Sequence, residues 1–256
     1  MINLRYDLVP DDAVRLGLIV LQADQSLERD MWRMLPPGAE LLVTRVPSGL
    51  SVTPDSLAAM EGHLTGAAAL FPQGARFAAV GYGCTSGTAQ IGAAQVAQRV
   101  QAGVSCDAVT EPVSALIAAC DALGVTRIGL ISPYLATVSD RLRQVLEAAR
   151  IGVAGFVGFD EAEEAKVARI DPRSILDAVE GLVEVCDCEA VFISCTNLRT
   201  LDILERAEAL SGLPVLSSNQ VLAWHMARLA GAGMPECRPG RLWDVPQATR
   251  QPRFGN

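Results

Sequence analysis

Two short segments, each ending in a cysteine followed by threonine, constrain the fold of this chain more than any other feature. Cys84 lies in GYGCTSG and Cys195 in FISCTNLRT, and a short apolar run precedes each of them. An R-x-G-L-I motif lies upstream of both, at 15–19 and at 127–131, and the two intervals from motif to cysteine differ by a single residue. The repetition predicts two similar halves that each contribute one thiol to a shared site.

Apolar runs of strand length alternate with helical patterns along the chain. Strands are expected at 15–21, 40–46, 77–82, 106–109, 127–132, 152–158, 190–194 and 213–216. Helices are expected near 25–35, 54–70, 87–102, 112–123, 137–149, 172–186, 199–210 and 219–231. Such alternation, with nearly continuous apolar strands, predicts an α/β fold whose parallel sheets are covered by helices on both faces.

The repeat predicts two pseudo-symmetric domains, each a four-stranded parallel sheet flanked by helices, with the active site in the cleft between them. We expect the first domain to combine 1–112 with 217–256 and the second to span 113–216. Thr53-Pro54 and Asp171-Pro172 each place a capping residue before a proline at comparable points of the two halves. The segment after Gly240, with prolines and few apolar residues, is expected to be an extended or loosely ordered arm.

Composition narrows the class of protein. Half of the 256 residues are hydrophobic, enough for a large core without disulfides. No apolar run reaches about 18 residues, and the acidic N-terminal segment does not resemble a secretory signal, so a cytoplasmic protein is expected. A net charge of −8 argues against nucleic-acid and membrane partners. A homo-oligomer is the common expectation for a cytosolic enzyme.

The cysteines are not expected to form disulfides or a metal site. Seven is an odd number, and the chain is too long to need a disulfide scaffold. Cys186 and Cys188 form a C-x-C pair, but His63 and His225 lie far apart without ligand spacing. The remaining cysteines outside the two turns are expected to be small buried hydrophobes, namely Cys106, Cys120 and Cys237.

The cysteine turns are expected to carry the chemistry, because ligands of parallel α/β sheets bind outside the carboxyl ends of the strands. After Cys84, Thr85 and Ser86 open a helix whose N–H groups and hydroxyls can converge on an anion. The helix end is also expected to lower the pKa of the thiol. In the second half, Thr196-Asn197 offers a similar set of donors, and 217–219 adds polar groups at the same rim.

Other interpretations of these turns are weaker. A single cysteine after a strand is usually a packing residue, but two at equivalent places with hydroxyl residues beside them favour catalysis. GCTSG lacks the histidine and acid of a nucleophile elbow, and no lysine follows the glycines as in a P-loop. No G-x-G-x-x-G motif follows the first strand, so a dinucleotide site is not expected. We expect no cofactor.

The chain resembles the cofactor-independent aspartate/glutamate racemase superfamily over essentially its full length. Its CTSG and CTN motifs are most similar to the branch that contains maleate cis–trans isomerases and arylmalonate decarboxylases. The opening GLIVLQADQSLERD is similar to a protein of ectoine-utilisation operons in that branch. The resemblance implies two α/β halves with one catalytic position each, facing a shared cleft.

The resemblance also implies roles for individual residues. Cys84 matches the isomerase nucleophile and Cys195 the partner that supplies or removes a proton; arylmalonate decarboxylases keep only the second cysteine, which disfavours that activity. Tyr134 matches a substrate-contacting tyrosine, although it also suits a half-buried aromatic at a strand end. Asn197 matches a carboxylate-binding position and Asn219 a weaker one, with helix capping as the alternative for both.

Asp24 departs from the pattern, because maleate isomerases carry asparagine at this position. A carboxylate in the cleft would repel a dianion and raise the pKa of a nearby thiol, which argues against maleate as the substrate. We expect Asp24 to accept a hydrogen bond from the amino group of an ectoine-derived amino acid. The alternative is that Asp24 caps the helix that begins near Gln25.

These observations predict a cofactor-independent isomerase or racemase acting on a small carboxylate with two opposed cysteines. Both reactions need the same pair of acids and bases, so the sequence does not separate them. The alternatives are a maleate isomerase proper, an arylmalonate-type decarboxylase, and a protein that binds a small carboxylate without turnover.

Overall fold

The structure, a computed structural model, describes residues 4–246 and contains two parallel sheets covered by helices. The strands are β1 Val14–Leu21, β2 Ala39–Val46, β3 Ala79–Gly83, β4 Val109–Thr110, β5 Arg127–Ser132, β6 Gly152–Gly158, β7 Ala190–Ile193 and β8 Val215–Ser217. The α-helices are α1 Leu27–Arg33, α2 Pro54–Ala59, α3 Glu61–Ala68, α4 Thr85–Ile91, α5 Ala93–Gln101, α6 Pro112–Leu123, α7 Ala136–Ala148, α8 Glu164–Val167, α9 Pro172–Val185, α10 Leu204–Ser211 and α11 Ser218–Leu229.

The two sheets have the same topology. Their strand orders are β2-β1-β3-β4 and β6-β5-β7-β8, and every pair is parallel. Gly17 pairs with Val80 in the first sheet and Gly129 with Val191 in the second, so each cysteine follows at the same distance from its pairing partner. The predicted fold class is confirmed, and the two cysteines occupy equivalent register positions.

The glycine of each R-x-G-L-I motif is required by close packing on the sheet. A Cβ atom at Gly17 would lie 3.0 Å from Val80 and 3.1 Å from Phe71. At Gly129 it would lie 2.7 Å from Leu182, a side chain of α9. The repeated glycine therefore lets neighbouring side chains pack directly over the central strand of each sheet.

Several predicted elements are shorter or divided. The helix expected at 87–102 breaks at Gly92, whose φ of +95° no α-helix accommodates, and the one expected at 54–70 breaks at Met60. The strand expected at 106–109 is regular only at Val109–Thr110, and Cys106 makes an isolated parallel bridge to Phe77. The helix expected at 199–210 begins with a 3-10 turn, and α8 was not expected at all.

The prediction of a loosely ordered arm after Gly240 is wrong for the described part of that segment. Residues Arg241–Asp244 form a 3-10 helix that buries Leu242 and Trp243. The backbone N–H of Arg241 donates to Glu208 Oε1 at 3.1 Å, which fixes the segment to α10. Two large apolar side chains therefore outweigh the polar composition; 247–256 lie outside the described residues.

The chain crosses between the two sheets more than once. Helix α11 follows β8 of the second sheet but packs on α6 and on β3 of the first. Two backbone hydrogen bonds join a loop after β2 to the segment before α8, Val52 N–H to Ala162 O at 2.9 Å and Glu164 N–H to Leu50 O at 3.1 Å. One hydrophobic core runs through both halves. The domain boundaries given above stay a prediction.

No helix within residues 4–246 has the length and apolar character needed to cross a membrane.

Candidate active site

Cys84 follows β3 directly and caps the next helix with its thiol. Its backbone is extended, with φ −150° and ψ 111°, and its Sγ accepts a hydrogen bond from the N–H of Gly87 at 3.1 Å. The side chain is buried, and this burial raises the pKa of Cys84 to about 12, against the opposing effect of the Gly87 N–H. The N–H at the helix start lowers this pKa as expected, but loss of water outweighs it and the net shift is upward.

A tyrosine hydroxyl lies beside this thiol. A Cβ atom at Gly87 would lie 2.7 Å from Tyr82 Oη and 2.8 Å from Cys84 Sγ, so only glycine leaves room for both groups. Tyr82 Oη also contacts Met60 Sδ at 3.8 Å. Tyr82 was not among the predicted site residues, because an aromatic side chain within an apolar strand indicates core packing.

Cys195 lies at the equivalent place after β7 but in a different local structure. Its φ of +130° lies in the region that favours glycine, a costly conformation for a side chain with a Cβ atom. Its Sγ accepts from the N–H of Asn197 at 3.3 Å and lies 3.0 Å from Tyr134 Oη. Burial raises the pKa of Cys195 well above its ordinary value, and the negative charge of Glu164 adds to this effect.

Glu164 is a buried carboxyl group that sequence reasoning missed. Its Oε1 accepts from Tyr134 Oη at 3.1 Å and its Oε2 from Asn197 Nδ2 at 2.7 Å. Burial raises the pKa of Glu164, while the hydrogen bonds from Asn197 and Tyr134 oppose the rise. Its surroundings in the sequence, DEAEEAKV, are typical of a solvated surface, so no local pattern distinguishes Glu164 from its exposed neighbours.

Asp24 caps α1 with one oxygen and leaves the other free. Its Oδ1 accepts from the N–H groups of Ser26 and Leu27, both at 2.8 Å. Its Oδ2 is buried and makes no hydrogen bond of normal length and angle among the described residues, although the Thr196 hydroxyl lies near enough to lower the pKa of Asp24. Burial raises the pKa of Asp24 against the same two N–H donors. The capping interpretation therefore holds for Oδ1, while Oδ2 is available to a ligand.

The two asparagines hold the second cysteine turn in place. Asn197 Oδ1 accepts from the N–H of Gln25 at 2.8 Å, so it joins this turn to the start of α1. Asn219 is fully buried and donates to Asp30 Oδ2 at 2.9 Å and to Thr196 O at 3.0 Å. Neither caps a helix of its own, since the cap of α11 is Ser217. Asn219 Oδ1 is buried without a hydrogen-bond partner among the described residues, and its predicted contact with substrate stays a prediction.

The hydroxyl residues predicted to bind substrate connect the two turns. Thr85 Oγ1 lies 2.8 Å from Ser218 Oγ, which accepts from the N–H of Cys195 at 3.0 Å. Thr196 Oγ1 donates to Gly83 O at 3.2 Å. Ser86 is buried in the first turn of α4. These contacts bring the carboxyl ends of β3 and β7 together in one place.

The site is strongly acidic. The charges of Asp24 and Glu164 raise the pKa of both Cys84 and Cys195, which requires all four groups to lie close together. Arg45 lies on the outside, where it donates to the backbone oxygen of Asp24 at 3.1 Å. With every group of this cluster buried, the site suits a ligand that brings a positive charge to the two carboxylates.

A cavity of about 530 Å³ opens beside this cluster. It is lined by Gln22, Ala23, Gln25, Leu50, Ser51, Glu163, Glu164 and Ala165. Glu164 belongs to both the cavity wall and the thiol cluster, so its carboxyl group lies at the boundary between them. Within 4–246, no group of three or more His, Cys, Asp and Glu side chains is arranged to hold a metal ion.

The fold and its paired thiols define a two-sheet α/β protein with a cysteine-centred site. The arylmalonate decarboxylase family matches residues 96–243. The arylmalonate decarboxylase of Bordetella bronchiseptica is 32% identical over 241 residues, which cover 90% of this chain and 96% of that protein. The chain belongs to this family.

Maleate isomerase is a second relative. The enzyme of Nocardia farcinica is 27% identical over 237 residues, 88% of this chain and 93% of its own. A structure of a mutant of the Nocardia farcinica isomerase, with a covalently bound succinylcysteine intermediate, superimposes with a TM-score of 0.75 at 24% identity and covers 90% of this chain and 98% of that one. This likeness supports the fold.

Proposed function

We propose that this protein is a cofactor-independent isomerase or racemase that acts on a small carboxylate through Cys84 and Cys195. The observation that carries the proposal is that two buried thiols follow equivalent strand ends and that their turns are hydrogen-bonded to each other through Thr85 and Ser218. Its relatives, a decarboxylase and an isomerase, support this class of chemistry.

Two reactions suit this pair of thiols. In an isomerisation, the Cys84 thiolate adds to an activated double bond, forming an S–C bond while the π electrons move toward the substrate carboxylate. Rotation about the resulting single bond and loss of the sulfur restore the double bond in the other geometry. The succinylcysteine intermediate of the Nocardia farcinica isomerase supports this addition.

In a racemisation, one thiolate removes the proton alpha to a carboxylate, and the C–H electrons delocalise into that carboxylate. The opposite thiol then donates a proton to the other face. The hydrogen bonds that join the two turns hold the sulfurs on one cluster, as this mechanism requires. The arrangement differs from that of a decarboxylase, which would need only the second thiol.

We further propose that the substrate carries an amino group, as an amino acid derived from ectoine breakdown would. Asp24 Oδ2 is buried and, beside the Thr196 hydroxyl, makes no hydrogen bond of normal geometry among the described residues, and Glu164 lies in the same cluster. A buried acceptor left unpaired is costly, and an ammonium group would satisfy it. A dianion such as maleate would instead meet two carboxylates of its own sign.

Incubation in D₂O with candidate substrates, followed by NMR and chiral chromatography, tests the proposal. The panel comprises maleate, phenylmalonate and each enantiomer of N-acetylated diaminobutyrate. We expect deuterium at the alpha carbon and loss of optical purity for the diaminobutyrate derivative. Rapid conversion of maleate would overturn the amino-substrate proposal, and carbon dioxide from phenylmalonate would indicate decarboxylation.

The same panel addresses the non-catalytic alternative. The Cys84→Ser/Cys195→Ser double variant serves as the inactive control for each compound. If a compound protects the unmodified protein against thermal unfolding but is never converted, the protein binds carboxylates without turnover, and the catalytic proposal is wrong.

A further inference from the structure

Only one of the two thiols is connected by hydrogen bonds to a carboxyl group within the described part of the chain. Glu164 Oε1 lies 3.1 Å from Tyr134 Oη, which lies 3.0 Å from Cys195 Sγ. Cys84 Sγ instead accepts from the backbone N–H of Gly87 and from the hydroxyl of Tyr82, for which no carboxyl partner is found within residues 4–246. The two thiols therefore differ in what controls their protons.

The direction of the hydrogen bonds at Tyr134 depends on the charge of Glu164. A tyrosine hydroxyl has one proton to donate, and an ionised carboxylate is a better acceptor than a neutral thiol. While Glu164 is ionised, Tyr134 donates to it, and the tyrosine oxygen is left to accept the S–H of Cys195. When Glu164 is neutral, the hydroxyl can turn to Cys195 and stabilise a thiolate.

We propose that Glu164 is a positioning residue that, through Tyr134, keeps the proton on Cys195, so that Cys195 starts as the proton donor and Cys84 as the base or nucleophile. This inference rests on the proposed function and adds to it the residue that sets the proton on Cys195. When Cys195 gives its proton to the substrate, a C–H bond forms and the S–H electrons stay on sulfur. The new thiolate then competes with Glu164 for the Tyr134 proton.

The ionisable groups that face Glu164 come from four other parts of the chain. They are Asp24 before α1, Cys84 after β3, Tyr134 after β5 and Cys195 after β7. On α8 itself, Lys166 is exposed and pairs with Glu163, the exposed residue just before the helix.

The charge of Glu164 acts on both thiols, but only Cys195 is joined to it by a hydrogen-bonded path among the described residues. Replacing the carboxylate should therefore affect the two thiols to different degrees. A purely electrostatic role for Glu164 would act through distance alone, so its effect on Cys195 would not depend on the Tyr134 hydroxyl. The difference between the thiols is the quantity to measure.

Alkylation of Cys84 and Cys195 by iodoacetamide, followed by peptide mass spectrometry without substrate, tests this. At about pH 8 we expect Glu164→Gln to speed alkylation of Cys195 by about tenfold, corresponding to one unit of pKa, and that of Cys84 by clearly less. In a Tyr134→Phe background the same substitution should lose most of its extra effect on Cys195. Glu163→Gln, one residue away and exposed, is the matched control and should change neither.

Reagent access is checked by the ultraviolet absorbance of the thiolate, titrated against pH with Cys195→Ser as the blank. Equal changes at both thiols, or a selective change that survives in the Tyr134→Phe background, would overturn the inference. Because these measurements need no substrate, they are separate from the proposed function. Absence of turnover in the D₂O panel would refute that function without explaining a selective effect at Cys195.

Discussion

The two cysteine turns lie at the same register of two matching sheets and yet are built differently. Cys84 has an ordinary extended backbone and caps a helix. Cys195 is held at φ +130°, and its thiol lies between Tyr134 Oη and the Asn197 N–H. The two halves place their thiols at equivalent positions, but the residues around the two thiols differ. In an enzyme that needs one acid and one base, such divergence is what allows two identical side chains to do different things.

The strained turn depends on the helix that crosses from the second sheet to the first. Ser218 Oγ accepts from the N–H of Cys195, and Asn219 donates to the backbone of Thr196. Both belong to α11, which packs on β3 next to the other thiol. Backbone strain persists only where surrounding contacts enforce it, so α11 connects the conformation of Cys195 to the first half.

The largest expected effect is the loss of either thiol. Cys84→Ser and Cys195→Ser should each lower turnover of the substrate found in the panel by about 10²- to 10⁴-fold, the range typical of acid–base groups. Cys106→Ser, at a half-buried cysteine distant from the turns, is the control and should retain activity. Full activity in either variant would show that the two turns do not share one reaction.

The tyrosine beside each thiol gives the next largest difference. Tyr134→Phe removes a hydroxyl that contacts both Cys195 Sγ and Glu164, and we expect turnover to fall by about 10- to 100-fold because buried groups lose a partner. Tyr82→Phe removes a hydroxyl that hydrogen-bonds to Cys84 and contacts Met60 Sδ but contacts no carboxylate, so its effect should be smaller. Steady-state kinetics on both variants compares the two cysteine turns. Equal losses of turnover would show that the two tyrosines contribute alike, contrary to this account.

The backbone difference is testable through stability. At position 195 glycine fits φ +130°, so Cys195→Gly should be more stable than Cys195→Ala by about 1 kcal/mol. At position 84 the backbone suits any residue, so Cys84→Gly should be less stable than Cys84→Ala by about 0.5–1 kcal/mol. Urea unfolding measures both pairs. The same order of stability at both positions would contradict the assigned strain.

The smallest effect concerns Asp24, whose charge acts on both turns. Its pKa is raised in the folded protein, so the fold binds this proton more tightly than the unfolded chain, and stability falls as pH rises from about 4 through the folded pKa. Asp24→Asn keeps an oxygen for the N–H groups of Ser26 and Leu27 but removes the charge.

The variant should therefore gain melting temperature relative to the unmodified protein at about pH 8 and lose that advantage near pH 4. Thermal unfolding between about pH 4 and pH 8 measures the gap, which is the melting temperature of Asp24→Asn minus that of the unmodified protein. A gap that widens as the pH falls would mean that the folded state favours the charged form of Asp24, contrary to its burial.

The repeat was the most reliable predictor of the fold. R-x-G-L-I and the cysteine intervals are visible in the sequence because each half needs glycine at the same point of its central strand, where side chains from distant segments pack closely. The fold class and the placement of Cys84 and Cys195 followed from them. The predicted bounds of the longer helices were wrong where a single residue ends a helix, as Gly92 does with its positive φ.

The chemistry of the site was harder to predict because it depends on contacts between distant segments. Glu164 lies in an acidic stretch like any surface run, and only folding buries it against Tyr134. The thiol pKa was predicted in the wrong direction because helix starts are visible in a sequence and burial of a whole cluster is not. Burial of Trp243 likewise accompanies a 3-10 helix in a segment whose polar composition predicted a loosely ordered arm.

The central claim is that both thiols serve one substrate from opposite sides. A crystal structure of the Cys84→Ser variant with the substrate identified in D₂O tests it directly, since the variant should bind the compound without converting it. We expect the hydroxyl oxygen that replaces the Cys84 sulfur, and the Sγ of Cys195, each to contact the ligand within about 4 Å from opposite faces. A ligand that touches only one of these two side chains would contradict the claim.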